Sequence, residues 1–102
     1  MTRLEQLLKL AADSPDDPLA RYAVALEYSN QERFDEARAA FEQVLIIDPQ
    51  YAAAYYHKAR VEIRAGDKAA ARKTLIAGMQ CARDQGDAKT VREMNDLLET
   101  IG

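Results

Sequence analysis

The chain has 102 residues, with 14 Lys or Arg against 17 Asp or Glu and a formal net charge of −3. That length fits one compact domain, and so mild an acidic balance suggests no general affinity for nucleic acid or anionic membranes. Ala, Leu, Glu, Arg, Lys and Gln dominate while Pro and Gly are scarce, so an all-α domain is expected.

In chain order, Thr2 and Glu5 form a capping-box pattern for a helix through about Ala12, with Leu4, Leu7 and Leu8 facing inward. Asp17-Pro18 reads as an N-cap followed by proline at the first helical position, starting a helix that runs to about Asn30. Asp35 is expected to cap the next helix, which carries Ala37, Phe41, Val44, Leu45 and Ile47 on its inner face and stops at Asp48-Pro49. Another helix begins near Ala52 and turns at Gly66-Asp67, a glycine suited to the left-handed position followed by a new N-cap. The same dipeptide returns at Gly86-Asp87, and a last helix places Val91, Met94, Leu97, Leu98 and Ile101 on its apolar face. About six helices result.

One fixed spacing recurs along them. Pro15 and Pro49, Tyr22 and Tyr56, Ala25 and Ala59, Ala37 and Ala71, Phe41 and Leu75, and Leu45 and Met79 are all separated by the same interval and match in size class. On these marks the chain resembles the tetratricopeptide-repeat family, whose unit of about 34 residues has that same length and carries small, aromatic and proline signatures. Ala25, Tyr28, Ala37, Phe41 and Pro49 fall on them in one unit, and Tyr55, Ala59, Gly66-Asp67, Ala71, Leu75 and Gly78 in the next.

The resemblance covers essentially the whole chain and implies a right-handed α-α superhelix of antiparallel helix pairs. The expected organisation is one domain over residues 1–102: a half-repeat helix over 1–14, repeats over 18–51 and 52–85, and a capping helix over 87–101. Small residues let the helices of a unit cross closely, larger ones fill the space between units, and neither pair buries its apolar face alone.

The second unit departs from the family pattern at Lys58, where a large apolar residue is usual, and at Glu62, where an aromatic is usual. Three readings stand: a shifted helix that leaves both groups partly wet, a buried pair of little net stability, or an interface with another chain. Val44, in place of an alanine, is a minor departure.

No catalytic constellation is found: there is one histidine, one cysteine, no Gly-rich phosphate loop and no pair at a recognised metal-ligand spacing. No cofactor, metal or enzymatic activity is expected. His57 lacks the partners a catalytic or metal role needs, and Cys81 reads as a buried, inert thiol. A single cysteine excludes an internal disulfide framework and fits a reducing compartment, so cytoplasm is the expected location. The N-terminus has no apolar signal-peptide core, and no stretch approaches the roughly 18 apolar residues that span a bilayer.

The resemblance also implies a concave groove lined by the first helix of each unit. By that phase the first unit offers Leu19, Tyr22, Ala23, Leu26, Ser29 and Asn30, and the second Ala53, Tyr56, His57, Arg60, Ile63 and Arg64. His57, Arg60 and Arg64 form a basic stripe beside an apolar, tyrosine-containing neighbour, either a binding surface or an ordinary solvated face. Family members that hold chaperone C-terminal carboxylates use a Lys, Asn and Arg clamp; Tyr22, Leu26 and His57 stand there instead, so that role is disfavoured.

The expected function is a protein–protein interaction module taking an extended or helical segment, apolar along Leu19, Tyr22 and Leu26 and acidic near Arg60 and Arg64. The alternative is a self-assembling scaffold, a homodimer included. It rests on exposed repeat ends and on charge asymmetry: residues 1–51 carry five Lys or Arg against ten Asp or Glu (−5), and residues 52–102 nine against seven (+2).

Overall fold

The computed structural model describes all 102 residues. Six helices follow one another without a strand: α1 (Arg3–Asp13), α2 (Pro18–Asn30), α3 (Phe34–Ile47), α4 (Ala52–Arg64), α5 (Lys68–Asp84) and α6 (Ala88–Thr100). Sequence neighbours pack on one another, and α2 also touches α4, so the helices form a solenoid of stacked hairpins 41 × 29 × 18 Å across. No helix is long and apolar enough to cross a membrane.

Local chemistry sets the starts. At α1, Glu5 N donates to Thr2 Oγ1 and Thr2 N to Glu5 Oε1, both at 3.1 Å, completing the capping box. Asp17 Oδ1 accepts from Leu19 N at 2.9 Å, Asp67 Oδ1 from Ala70 N at 3.0 Å, and Asp87 Oδ1 from Thr90 N at 3.1 Å.

Asp35 is not the cap of α3. Arg33 holds that position without a side-chain bond, and Asp35 sits in the first turn, where its charge still complements the helix dipole. The reason lies in the preceding turn. Glu32 adopts a left-handed φ of 58°, as Gly66 (87°) and Gly86 (70°) do. After each of the three, the next amide closes back on the helix just ended: Arg33 N on Tyr28 O, Asp67 N on Glu62 O and Asp87 N on Ala82 O, at 2.8–2.9 Å. The new helix then starts at once, so a non-glycine residue in the left-handed position hid the turn and moved its expected cap too late in the chain.

The interior forms two clusters. Ala25, Ala37, Phe41, Val44, Ala54 and Val61 make one, and Ala59, Ala71, Leu75, Met79, Met94 and Ile101 the other. The period-matched Ala25 and Ala59, Ala37 and Ala71, and Phe41 and Leu75 are all wholly buried. At Gly78 a Cβ would stand 2.6 Å from Tyr55 Cβ and 2.8 Å from Met94 Sδ, so the absence of a side chain lets α5 approach α4 and α6 together.

The inner faces differ in detail from expectation. Leu8 is 41 % exposed rather than turned inward, and Ala11 is the buried residue of α1. Leu45 and Ile47 are only half-buried.

Lys58 and Glu62 do not pair with each other, and they are not left jointly wet. Glu62 is 2 % exposed and accepts a hydrogen bond from Thr74 Oγ1 at 2.6 Å on Oε1. Arg38 Nε lies 3.0 Å from Glu62 Oε2, but neither of those two atoms makes a hydrogen bond; the contact is ionic only. Lys58 Nζ reaches Glu42 Oε1 at 3.7 Å, and Arg38 Nε lies 3.4 Å from the same oxygen. Each group of α4 thus finds its counter-charge on α3, because α3 passes beside α4 and presents Arg38 and Glu42 one turn apart. The missing aromatic of the second unit is replaced by a carboxylate fastened to α3 and α5.

Candidate functional site

Residues 29–32 end α2 and its turn, and α4 lies against them. Between the two helices is a depression of about 150 Å³ lined by Leu26, Ser29, Asn30, His57, Arg60 and Arg64. The expected groove residues Leu26, Asn30, His57, Arg60 and Arg64 therefore meet at one place, because α2 and α4 are both first helices of their hairpins and lie side by side in the stack.

The others do not join them. Leu19 and Ala23 line a separate depression of about 260 Å³ with Leu7 and Leu10, since α1 flanks the N-terminal half of α2. Tyr22 is turned into an aromatic cluster, its ring centroid 5.0 Å from Tyr51, 6.0 Å from Phe41 and 5.8 Å from His57. Burial, and after it the neighbouring Tyr51, raises its pKa above the ordinary phenol value.

Tyr56 faces a third depression of about 290 Å³, completed by Glu93, Asp96, Leu97 and Thr100 of α6. Those α6 residues were not among the sequence candidates, because α6 reads only as an amphipathic cap.

The basic stripe is also less basic than its residue types imply. His57 is half-buried, stacked on Phe41 (6.2 Å between centroids, 13° between planes) and edge-on to Tyr56 (5.5 Å, 85°). Burial first, and the adjacent Arg60 second, push its pKa below the usual imidazole value. Near neutrality it serves as an uncharged aromatic wall. Arg64 is engaged with the first unit: its guanidinium contacts Glu32 Oε1 at 3.4 Å, donates to Ser29 O at 3.5 Å and lies over the Phe34 ring at 5.0 Å. Arg60 lies over the Tyr56 ring at 5.9 Å and has no carboxylate within ion-pair distance. The open cation of the depression is Arg60.

The His57 shift has a measurable consequence. A folded-state pKa below the unfolded one means that the unfolded chain binds the proton first as pH falls. The stability contributed by neutral His57 is complete above an unfolded pKa of about 6.5 and is lost as pH drops from there toward the lowered folded value. Thermal unfolding of the wild type should therefore soften as pH falls below about 6.5, and His57→Phe should flatten that decline. Parallel pH profiles for the two proteins would refute the assignment.

Cys81 is half-buried rather than buried. Gln85 Nε2 donates to its Sγ at 3.2 Å, and Sγ lies 3.7 Å from Pro49 O; burial pushes its pKa upward, which keeps it a thiol. No group of three or more His, Cys, Asp or Glu side chains is arranged to hold a metal ion.

Comparison with known proteins agrees with the hairpin stack. Residues 30–94, more than half of the chain, match the tetratricopeptide repeat. The chain belongs to the tetratricopeptide-repeat family. A TPR repeat-containing protein of Pseudomonas aeruginosa is 26 % identical over 98 residues, 96 % of this chain and 93 % of its own length. The solution structure of a Bordetella parapertussis protein superposes with a TM-score of 0.86 at 28 % identity, over 99 % of this chain and 88 % of that one. The TPR2B domain of yeast Sti1, solved in complex with pHsp70, shares the fold with a TM-score of 0.91 at 22 % identity, over 96 % of this chain and 78 % of that one. As a tetratricopeptide-repeat protein, the chain is a protein-interaction module.

Proposed function

We propose that the chain binds a segment of a partner protein across its concave face without catalysing a reaction, using the depression between α2 and α4 as the principal contact. The observation that carries this reading is Arg60: an exposed cation without a counter-ion, beside the neutral aromatic wall of His57 and the polar side chains of Ser29 and Asn30. An acidic group of the partner, seated there, would gain a charge-assisted bond without displacing an existing ion pair. That the yeast Sti1 domain of the same fold was solved with pHsp70 is in keeping with a partner-binding role. The absence of the carboxylate clamp, with Tyr22, Leu26 and His57 in its positions, argues for a different ligand here.

The unit assignment that accompanies this reading is one domain over residues 1–102, with repeats over 18–51 and 52–85 between the flanking helices. We place it in the cytoplasm, where Cys81 stays a thiol. Affinity capture from the native cell should identify the partner, and Arg60→Glu should lower that capture about tenfold, the size of a charged contact at a binding surface. Undiminished capture by a variant that melts like the wild type would remove the groove from the account.

A second reading, self-association, draws on a different surface. Leu10 is 58 % and Leu19 61 % exposed, and both line the depression beside α1. Leu10 stands one full repeat period before Val44, which is completely buried. A second copy seated there by two-fold symmetry would cover both leucines. Light scattering over a concentration series should then reveal a dimer that Leu10→Glu abolishes, whereas a monomer at every concentration would eliminate the reading.

A further inference from the structure

Two depressions of opposite charge flank α4, one against α2 and the other against α6. On one side lies Arg60, with Arg64 behind it. On the other lie Glu93 and Asp96 of α6, with Tyr56 and Leu97. The boundary is Tyr56, whose ring carries the Arg60 guanidinium at 5.9 Å.

These charges do not neutralise one another. Neither Arg60 nor Asp96 has an ion-pair partner, and Glu93 has only an exposed contact with Lys89 of its own helix at 3.9 Å. A uniformly acidic segment long enough to cross α4 would gain on Arg60 and be repelled by Glu93 and Asp96; a uniformly basic one would meet the reverse. Only a segment carrying both signs gains at both places.

Resting on the groove reading above, we propose that the ligand is an extended, bipolar segment: an acidic side chain on Arg60, an apolar or aromatic one over Tyr56, and a basic one between Glu93 and Asp96. The spacing follows from helix packing. A ligand joining the two depressions must cross α4, a cylinder about 10–12 Å in diameter with its side chains, and an extended chain rises about 3.3 Å per residue. The two charged side chains are therefore about three residues apart in the ligand. The acidic half of the groove thereby sets specificity, since it rejects acidic segments that Arg60 alone would accept.

The test is selection of a random twelve-residue peptide library, displayed on phage, against the immobilised full chain, with captured clones re-measured on Arg60→Glu and on Glu93→Lys/Asp96→Lys. The substituted side chains are all exposed, and melting curves establish that the variants fold. The expected outcome is an enriched motif with an acidic and a basic residue about three positions apart, each variant weakening its capture about tenfold. Enriched motifs that are acidic only, or that Glu93→Lys/Asp96→Lys captures as well as the wild type while Arg60→Glu does not, would overturn the bipolar ligand and leave the groove standing. Motifs insensitive to both variants, or no enrichment at all, would overturn the groove and the bipolar ligand together.

Discussion

Phe41→Ala is expected to cost about 3–5 kcal/mol of folding stability, the usual range for deleting a fully buried aromatic ring. Phe41 is wholly buried, meets Tyr22 edge-on at 6.0 Å and stacks on His57 at 6.2 Å. It therefore belongs to the first unit by sequence and to the joint between units by contact. The two rings against it are poorly placed to collapse into the space, because Tyr22 and His57 are held by Tyr51 and Tyr56 as well. For a domain stable by about 5–15 kcal/mol, the loss should lower the melting temperature by more than about 12 °C. It should also release His57 from its stack and so loosen the wall beside Arg60. Urea denaturation measures the first effect; a loss under about 1 kcal/mol, far below the range for a buried ring, would show that the ring is not where the units are joined.

Glu62 should behave in the opposite way to an ordinary core residue. Its carboxylate is buried, yet only Oε1 has a hydrogen bond, from Thr74, and the contact of Oε2 with Arg38 is ionic without being a hydrogen bond. Desolvation of such a group largely cancels its attraction to a counter-charge, so a similar-sized apolar replacement is often neutral or stabilising. Glu62→Met is expected to change stability by between about 0 and +3 kcal/mol. Removing a partner while the carboxylate remains should destabilise. Thr74→Val deletes a hydrogen bond to a charged group and should cost about 1.5–3 kcal/mol. Arg38→Ala should cost less than the full penalty for an orphaned buried ion, since the Arg38 side chain is 43 % exposed and water can take its place. In the Glu62→Met background, Thr74→Val should cost close to nothing, and this non-additivity isolates the interaction. Should Glu62→Met alone cost more than about 2 kcal/mol, the carboxylate would be a net stabiliser, contrary to the desolvation balance expected of it.

These two positions illustrate how far a linear reading reaches. Phe41 is recognisable at once, because aromatic residues at a fixed place in a helical period must be buried somewhere and the repeat phase says where. Glu62 is recognisable only as a departure. Its burial, and the identity of Arg38 and Thr74 as its partners, depend on α3, α4 and α5 meeting at one point, and several carboxylates and cations of the neighbourhood would serve equally well on paper. The same holds for the groove. Leu26, Asn30, His57, Arg60 and Arg64 fall on matching helix faces by phase alone and line one depression, but phase cannot divide a stripe along its length. The packing of α1 on one half of α2 and of α4 on the other assigned Leu19 and Ala23 elsewhere.

Caps, helical periodicity, the repeat spacing and the small residues at helix crossings are all local or repeating properties, and they suffice to specify the all-α class, the hairpin phase and most of the core. Charge state and pairing are not local. Packing in three dimensions was needed to lower the His57 pKa, to tie Arg64 to Glu32 while leaving Arg60 free, and to bring Glu93 and Asp96 of α6 beside Tyr56. Each of those outcomes is a matter of which side chains from distant segments exclude water from one another, and desolvation and counter-charge act over a few ångströms of space rather than along the chain.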